Sequence, residues 1–122
     1  MKRILVVDDS NVLRRIITFN LKSAGYEVME AVNGKEGLDK IESENPDMIF
    51  LDIMMPVMDG FTVLKELKKI NCKIPVVVLT AKGGESDEEM ALNLGAKKVI
   101  TKPFSPKFLV DTVSELLGDN DG

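Results

Sequence analysis

Five side chains that could take part in acid, metal or nucleophilic chemistry each come at or just after the end of an apolar run. They are Asp8, Asp9, Asp52, Thr80 and Lys102. Short, continuously apolar runs are typical of strands that are buried on both faces of a parallel sheet. Because the carboxyl ends of parallel strands lie along one edge of a sheet, we expect these five side chains to converge in one crevice.

The chemistry of such a crevice follows from its charges. Carboxylates held within several Å repel one another by roughly a few kcal/mol per pair, so the fold needs a counter-cation. Lys102 supplies one positive charge. Mg²⁺ supplies two, prefers oxygen ligands and retains several waters. A carboxylate beside Mg²⁺, a hydroxyl and a lysine can receive a phosphoryl group, with Asp52 as the nucleophile and Thr80 and Lys102 binding the transferred oxygens.

The hydrophobic pattern predicts the elements that must position this crevice. Strands are expected at residues 4–7, 26–31, 48–52, 76–80 and 99–100, and helices at about 10–24, 33–44, 59–69, 86–94 and from 106 onward. Helix starts are indicated by Asp9 or Ser10, by Asn33, by Asp59-Gly60 and by Ser105. Pro56 and Gly60 are expected to hold the turn after the third strand, and Gly83-Gly84 to form a loose connection. Short connections and strict alternation predict an α/β protein of the flavodoxin-like (βα)5 type. Its five-stranded, doubly wound parallel sheet would carry helices on both faces, as right-handed crossovers require.

The first predicted helix is more apolar than a helix on one sheet face requires. Leu13, Ile17, Leu21 and Ala24 have the spacing of an inward face. Additional apolar residues, Val12, Ile16 and Phe19, widen the apolar arc to about 200°. In the last helix the predicted buried positions are Phe108, Leu109, Val113 and Leu116. The additional apolar side chains of the first helix are therefore expected to have a role besides packing on the sheet.

Length, charge and cysteine content narrow the class of protein. The 122 residues predict a single domain over 1–122, with a frayed polar tail at 118–122. The net charge of −4 without Lys or Arg clusters argues against nucleic acid as a partner. The single Cys72 excludes an internal disulfide. Without a membrane-length apolar run or a signal-peptide pattern, we expect a cytoplasmic monomer.

The motifs resemble the response-regulator receiver family, with its chemotaxis-regulator-like fold. The resemblance is carried by the Asp8-Asp9 pair, by LDIMMPVMDG around Asp52, by LTA at 79–81 and by KPF at 102–104. It covers the whole chain, including the spacing of the motifs. It implies a two-component signalling switch rather than an enzyme, in which a sensor histidine kinase, or a small phosphodonor, phosphorylates Asp52. Output would pass to a downstream protein or phosphotransfer partner, because the sequence shows no further domain after the last helix.

The resemblance also implies roles for individual residues. Asp9 and Asp52 would bind Mg²⁺ directly and Asp8 through water, with the backbone carbonyl of Met54 as a further ligand. Thr80 and Lys102 would bind the phosphoryl group, and the small Ala81 would leave the pocket open. The Lys102-Pro103 peptide would be cis. A kinase would dock on the first helix and the loop after strand five, through Val12, Leu13, Ile16, Phe19, Pro103 and Phe104.

Two departures from the family pattern concern the conformational switch and the lifetime of the phosphorylated aspartate. Val99 occupies the position where the family usually has the Tyr or Phe whose ring turns inward when the threonine moves. Met54 and Lys82, two residues after Asp52 and Thr80, match neither the acid nor the amide found in fast-resetting members.

Two other functions compete with the signalling switch. An Asp-nucleophile phosphohydrolase would share the Asp, Thr and Lys chemistry, but the haloacid-dehalogenase type has an acid where this chain has Met54. A nucleotide or flavin binder would need a Gly-rich or hydroxyl-rich phosphate loop after strand one, where Asp8 and Asp9 stand instead.

Overall fold

The computed structural model describes residues 1–81 and 85–118 of the chain, and within that part five strands alternate with five helices. The elements are β1 (Arg3–Val7), α1 (Asn11–Ser23), β2 (Glu27–Ala31), α2 (Gly34–Glu44), β3 (Met48–Asp52), α3 (Gly60–Lys69), β4 (Val76–Thr80), α4 (Glu85–Asn93), β5 (Lys98–Thr101) and α5 (Pro106–Leu117). The predictions made for Lys82, for the Gly83-Gly84 connection and for the tail after residue 118 fall outside the described residues.

The strands form one parallel sheet in the order β2-β1-β3-β4-β5. This confirms the predicted doubly wound α/β fold. β3 is the central strand, with Val7 of β1 opposite Leu51 and Leu79 of β4 opposite Asp52. Thr80 in turn lies opposite Thr101 of β5. This register brings the carboxyl ends of β1, β3, β4 and β5 to the same edge of the sheet.

Two hydrophobic cores cover the two faces of the sheet. The α1–α5 core is centred on Phe50 of β3, Ile17 and Leu21 of α1, and Leu109 and Val113 of α5. The α2–α4 core covers the other face and contains side chains of α2, α3 and α4, namely Ile41, Val63, Leu64, Leu67 and Ala91. The three inner strands β1, β3 and β4 are buried almost throughout, which is what their continuous apolar runs predicted.

Helix starts are fixed by side-chain caps that the sequence indicated. Ser10, Asn33, Asp59 and Ser105 each accept a hydrogen bond from the backbone N–H three residues later. The α1 cap is therefore Ser10 and not Asp9, which leaves the Asp9 carboxylate available at the sheet edge. None of the helices that the structure describes has the length and apolarity needed to cross a membrane.

Two inward-facing predictions were wrong. Ala24 is exposed because α1 ends at Ser23 and Ala24 is its C-cap, just before Gly25 with a φ of 99°. Phe108 is 43% exposed, and its ring lies on the surface with the Lys98 ammonium 5.2 Å from the ring centroid. A cation over a ring stabilises an aromatic side chain that remains in contact with water.

Candidate functional site

The structure brings three carboxylates together at the carboxyl edge of the sheet. Oxygen atoms of Asp8, Asp9 and Asp52 all lie within 4.8 Å of one another. Asp8 is fully buried, Asp52 is 4% exposed and Asp9 is open to solvent. Asp52 is the last residue of the central strand, and the acidic pair follows β1 directly. The convergence that the strand pattern predicted is therefore present for these three acids.

Asp8 is fixed by backbone hydrogen bonds on both sides. Its N–H donates to the carbonyl of Ala31 on β2 at 3.1 Å, and its carbonyl accepts from the Arg14 guanidinium at 2.8 Å. Its Oδ1 accepts from the N–H of Ser10 at 2.8 Å. Its Oδ2 is buried and has no hydrogen bond from any described residue. A buried carboxylate oxygen in that state is a candidate metal ligand or the acceptor of an ordered water.

Lys102 is the cation of the cluster. Its Nζ lies 3.3 Å from Oδ1 of Asp52, to which it donates, and 3.5 Å from Oδ2 of Asp8. The backbone N–H of Lys102 donates to the carbonyl of Thr80 at 2.7 Å, and the Lys102-Pro103 peptide is cis, as the resemblance implied. One ammonium thus faces two of the carboxylates at hydrogen-bond or ion-pair distance, and the cluster keeps an excess of negative charge.

The electrostatics of the cluster act most strongly on Asp52. Burial is the largest cause that raises its pKa, and the neighbouring Asp8 carboxylate raises it further. Lys102 opposes both through its charge and its hydrogen bond, and Asp9 makes a smaller contribution in the raising direction. The pKa of Asp52 is about 6 as a result. At neutral pH the ionised form is present, but the site lacks sufficient positive charge to balance it.

The loop after β3 is packed tightly against the Asp52 backbone. The N–H of Gly60 donates to the carbonyl of Ile53 at 2.8 Å. A Cβ at position 60 would come within 2.5 Å of the Asp52 carbonyl oxygen and 2.8 Å of the Ile53 Cα, so this position requires glycine. The sequence had suggested that Pro56 and Gly60 hold the turn. Nothing in it indicated Val57, which has a φ of 72° at the centre of a turn closed by a bond from Met58 N–H to the Pro56 carbonyl.

The remaining predicted site residues surround this cluster. Thr80 ends β4 and is 4% exposed, while Ala81 is exposed beside it. Met54 follows β3 with its side chain 72% exposed, so any contribution to the site comes from its backbone. Val99 lies opposite Val78 in the sheet, half-buried against the α2–α4 core. The structure therefore has an aliphatic side chain where the family places a ring.

An exposed apolar surface lies on α1, beyond the acidic cluster. Val12 is 71% exposed, Phe19 is 68% exposed and Ile16 is 42% exposed. Leu13 instead packs partly against the α1–α5 core, as does Phe104 after β5, and Pro103 is exposed. The surplus apolar arc of α1 is therefore presented to solvent by three of its side chains, while Leu13 serves mainly in packing.

The donor set fits Mg²⁺. Carboxylate oxygens are the ligands that this ion prefers, and a site with an exposed Asp9 leaves room for the waters that Mg²⁺ keeps. The buried Oδ2 of Asp8 accepts no hydrogen bond from a described residue and has the Lys102 ammonium at 3.5 Å, so it can accept a second positive partner. This edge of the sheet can therefore bind a divalent cation and present the Asp52 carboxylate beside it.

Comparison with known proteins agrees with this geometry. Residues 4–114 match the family described as the response regulator receiver domain. The alkaline phosphatase synthesis transcriptional regulatory protein PhoP of Bacillus subtilis (strain 168) is 43% identical over 116 residues, which are 95% of this chain and 48% of that protein. The probable transcriptional regulator ycf27 of Cyanophora paradoxa is 45% identical over 116 residues, with the same coverage. The chain thus spans about half the length of these curated relatives.

The fold has close counterparts among solved structures. The Francisella response regulator 1452 receiver domain superposes with a TM-score of 0.91 at 34% identity. The match covers 95% of this chain and 96% of that chain.

Proposed function

Because this chain belongs to the response regulator receiver family of two-component systems, in which phosphorylation acts as the switch, we propose that Asp52 is its phosphoacceptor. The observation that carries the proposal is the position of Asp52. Its buried carboxylate ends the central strand, lies within 4.8 Å of two further acids and accepts a hydrogen bond from Lys102. No other described carboxylate combines these features.

The transfer is a nucleophilic displacement at phosphorus. An oxygen of the Asp52 carboxylate forms a new P–O bond while the bond from phosphorus to the donor breaks, and the donor leaves with the electron pair of that bond. The product is an acyl phosphate on Asp52. Ionised Asp52 is the reactive form, and at neutral pH a carboxyl with a pKa of about 6 is largely ionised.

The neighbouring residues supply charge and position. The Lys102 Nζ, 3.3 Å from Asp52 Oδ1, is placed to pair with an oxygen of the incoming phosphoryl group. Thr80, at the end of the adjacent strand, is proposed to bind a second oxygen through its hydroxyl. Asp8, Asp9 and Asp52, with the Met54 carbonyl, would hold Mg²⁺. When bound, the ion neutralises negative charge on the phosphoryl oxygens.

The proposed donor is a histidine of a sensor kinase, and small phosphodonors are proposed to substitute for it. The exposed apolar surface of α1, with Val12, Ile16 and Phe19, and the exposed Pro103 after β5 are proposed as the docking surface. We place output in contacts with a downstream protein or a phosphotransfer partner. No run of Lys and Arg in the sequence exceeds a pair, so nucleic acid is not a proposed partner of this domain. We propose a cytoplasmic monomer.

A phosphohydrolase remains the competing function, and the structure disfavours it at one position. Met54 lies two residues after the nucleophile and carries no group that could act as an acid or base, and its side chain is 72% exposed. We therefore propose that the domain catalyses its own phosphorylation and dephosphorylation only. Sustained turnover of a phosphomonoester by the purified chain would contradict this.

Mass spectrometry after incubation with acetyl phosphate and Mg²⁺ tests the acceptor. The wild type should gain the mass of one phosphoryl group, which hydroxylamine should remove, and Asp52→Asn should gain none. Asp59→Asn is the matched control, since Asp59 lies in the same loop but serves as the cap of α3. A phosphorylated Asp52→Asn variant, or an unmodified wild type, would overturn the assignment.

A further inference from the structure

A second cavity lies at the opposite edge of the sheet from Asp52. It has a volume of about 750 Å³, within the range of small-molecule sites in proteins. Its apolar lining includes Ile41 of α2 and Leu67 of α3, with Ile74 and Pro75 leading into β4. Neither the acidic cluster nor the exposed surface of α1 contributes to it.

The cavity exists because two helices stop short of the strands that follow them. α2 ends at Glu44 and the chain turns at Asn45, whose φ is 49°. α3 ends at Lys69 and the chain turns again at Asn71, whose φ is 57°. Asparagine tolerates this left-handed conformation, so both turns are unstrained features of the fold. The space between the two helix ends is the cavity.

The charges around the cavity are mostly negative. Its charged lining residues are Glu42, Asp47 and Glu66 against the single Lys73. Glu66 lies 3.2 Å from Lys69, and Asp47 accepts a hydrogen bond from the Arg3 backbone N–H at 2.8 Å. Neither Glu42 nor Asp47 forms an ion pair with a described residue. With Glu66 offset by Lys69, the lining has the carboxylates of Glu42 and Asp47 against Lys73, which is one more negative charge than positive.

The carboxyl-terminal end of α2 adds to this negative potential. The carboxyl-terminal ends of α2 and α3 both reach the cavity, through Asn45 and Ile70, and such ends carry partial negative charge. In α3 this charge is offset by Lys68 and Lys69 in the last turn. The last turn of α2 contains no basic residue, and Glu42 lies in it, where a carboxylate is unfavourable. A cation bound beside Glu42 would be attracted both by the Glu42 carboxylate and by the negative end of the α2 dipole.

We propose that this cavity binds a small amphipathic cation, an apolar or aromatic group that carries an ammonium. The apolar lining would contact the apolar part of the ligand. The carboxylates of Glu42 and Asp47, which form the rim of the cavity, would attract the ammonium group. This binding is independent of the proposed phosphorylation of Asp52, which lies at the other end of β3.

Three probes of one shape test the proposal: 4-phenylbutylamine as its ammonium ion, 4-phenylbutanol and 4-phenylbutyrate. Binding is followed at low salt by the amide shifts of Ile41, Ile70, Cys72 and Ile74 in nitrogen-15 NMR spectra. The ammonium should bind roughly tenfold more tightly than the carboxylate, with the alcohol between them, because the rim charges attract one and repel the other. Equal affinities, or shifts away from the cavity, would overturn the proposal.

Variants test which residue is responsible for the preference for the ammonium probe. Glu42→Gln should weaken binding of the ammonium about threefold and leave the alcohol unchanged, because only the charge is removed. Glu89→Gln, an exposed position on α4, should change neither. Asp52→Asn should bind all three probes as the wild type does, which separates this site from the phosphorylation site. A Glu42→Gln variant with the full preference for the ammonium would refute the role of the rim.

Alkylation provides a second measurement. Cys72 is the only cysteine of the chain and lines the cavity, so N-ethylmaleimide places its adduct there. The alkylated protein should keep its folded spectrum and lose binding of the ammonium probe. Undiminished binding after complete alkylation would show that the probe binds elsewhere.

Discussion

Replacing Asp52 with asparagine should stabilise the protein in a pH-dependent way. The pKa of Asp52 is about 6 in the folded chain, against about 3.9 in an unfolded chain. Well below pH 3.9 the carboxyl is neutral in both states and has no effect. As the pH rises toward 6, the unfolded chain loses this proton first, so the folded state loses stability relative to it. Above about pH 7 the penalty is constant, at about 3 kcal/mol.

The asparagine side chain of the Asp52→Asn variant has nearly the same shape and does not ionise, so the variant escapes this penalty. Its free energy of unfolding should exceed that of the wild type by about 1 kcal/mol at pH 4.5 and by about 3 kcal/mol at pH 7.5. The larger figure corresponds to about 10 °C in Tm for a domain of this size. Urea unfolding in EDTA, followed by far-UV circular dichroism because the chain has no Trp, measures both values.

The control variant is compared with the wild type at the same two pH values. Asp59→Asn should leave stability close to that of the wild type at both pH values, because Asp and Asn cap helices equally well. Added Mg²⁺ should reduce the advantage of Asp52→Asn at pH 7.5, since an ion that binds the folded wild type stabilises it. A gap between Asp52→Asn and wild type that is the same at pH 4.5 and 7.5 would refute the argument from burial and Asp8.

Three further substitutions test the loop and the docking surface. Gly60→Ala should lower the free energy of unfolding by about 1–3 kcal/mol and slow phosphorylation by acetyl phosphate, because the new Cβ meets the Asp52 carbonyl at 2.5 Å. An unchanged urea midpoint would contradict this. Val57→Gly should raise stability by about 0.5–1 kcal/mol, since the φ of 72° suits glycine and the Val57 side chain is 77% exposed. A fall in the midpoint would show that the turn is not strained. Phe19→Asp should slow transfer from the kinase and leave reaction with acetyl phosphate intact, whereas Ile70→Asp, at a site 67% exposed on the other edge, should change neither. Equal loss in both reactions for Phe19→Asp would exclude a docking role.

The sequence could predict the parts of the fold that follow from local rules. Continuous apolar runs placed β1, β3 and β4, and the caps at Asn33, Asp59 and Ser105 placed helix starts, because each depends only on neighbouring residues. The meeting of Asp8, Asp9 and Asp52 then required only the rule that parallel strands end along one edge. Each step used information present within a few residues of the chain.

The rest depended on distances between distant parts of the chain. The apolar spacing of α5 assigned Phe108 to the core, but its ring lies at the surface beside Lys98 of β5, a contact between distant parts of the chain. The space that makes the second cavity depends on where α2 and α3 end relative to β4, which a pattern read along one helix does not contain. The unsatisfied Oδ2 of Asp8 likewise appears only when the surrounding strands are in place.

The departures from local rules gather around Asp52. Three described residues other than glycine have a positive φ, and two are asparagines, which accept it. The third is the β-branched Val57, in the loop that connects Asp52 to α3. That loop closes on Gly60, where no side chain fits, and the adjacent Asp8 has a buried oxygen without a hydrogen bond from a described residue. A fold selected for stability alone would replace Val57 and the buried Asp8 with residues that avoid these costs. Their concentration at one carboxylate indicates that the position and the charge of Asp52 are maintained at the expense of stability, which is the relation expected at a functional site.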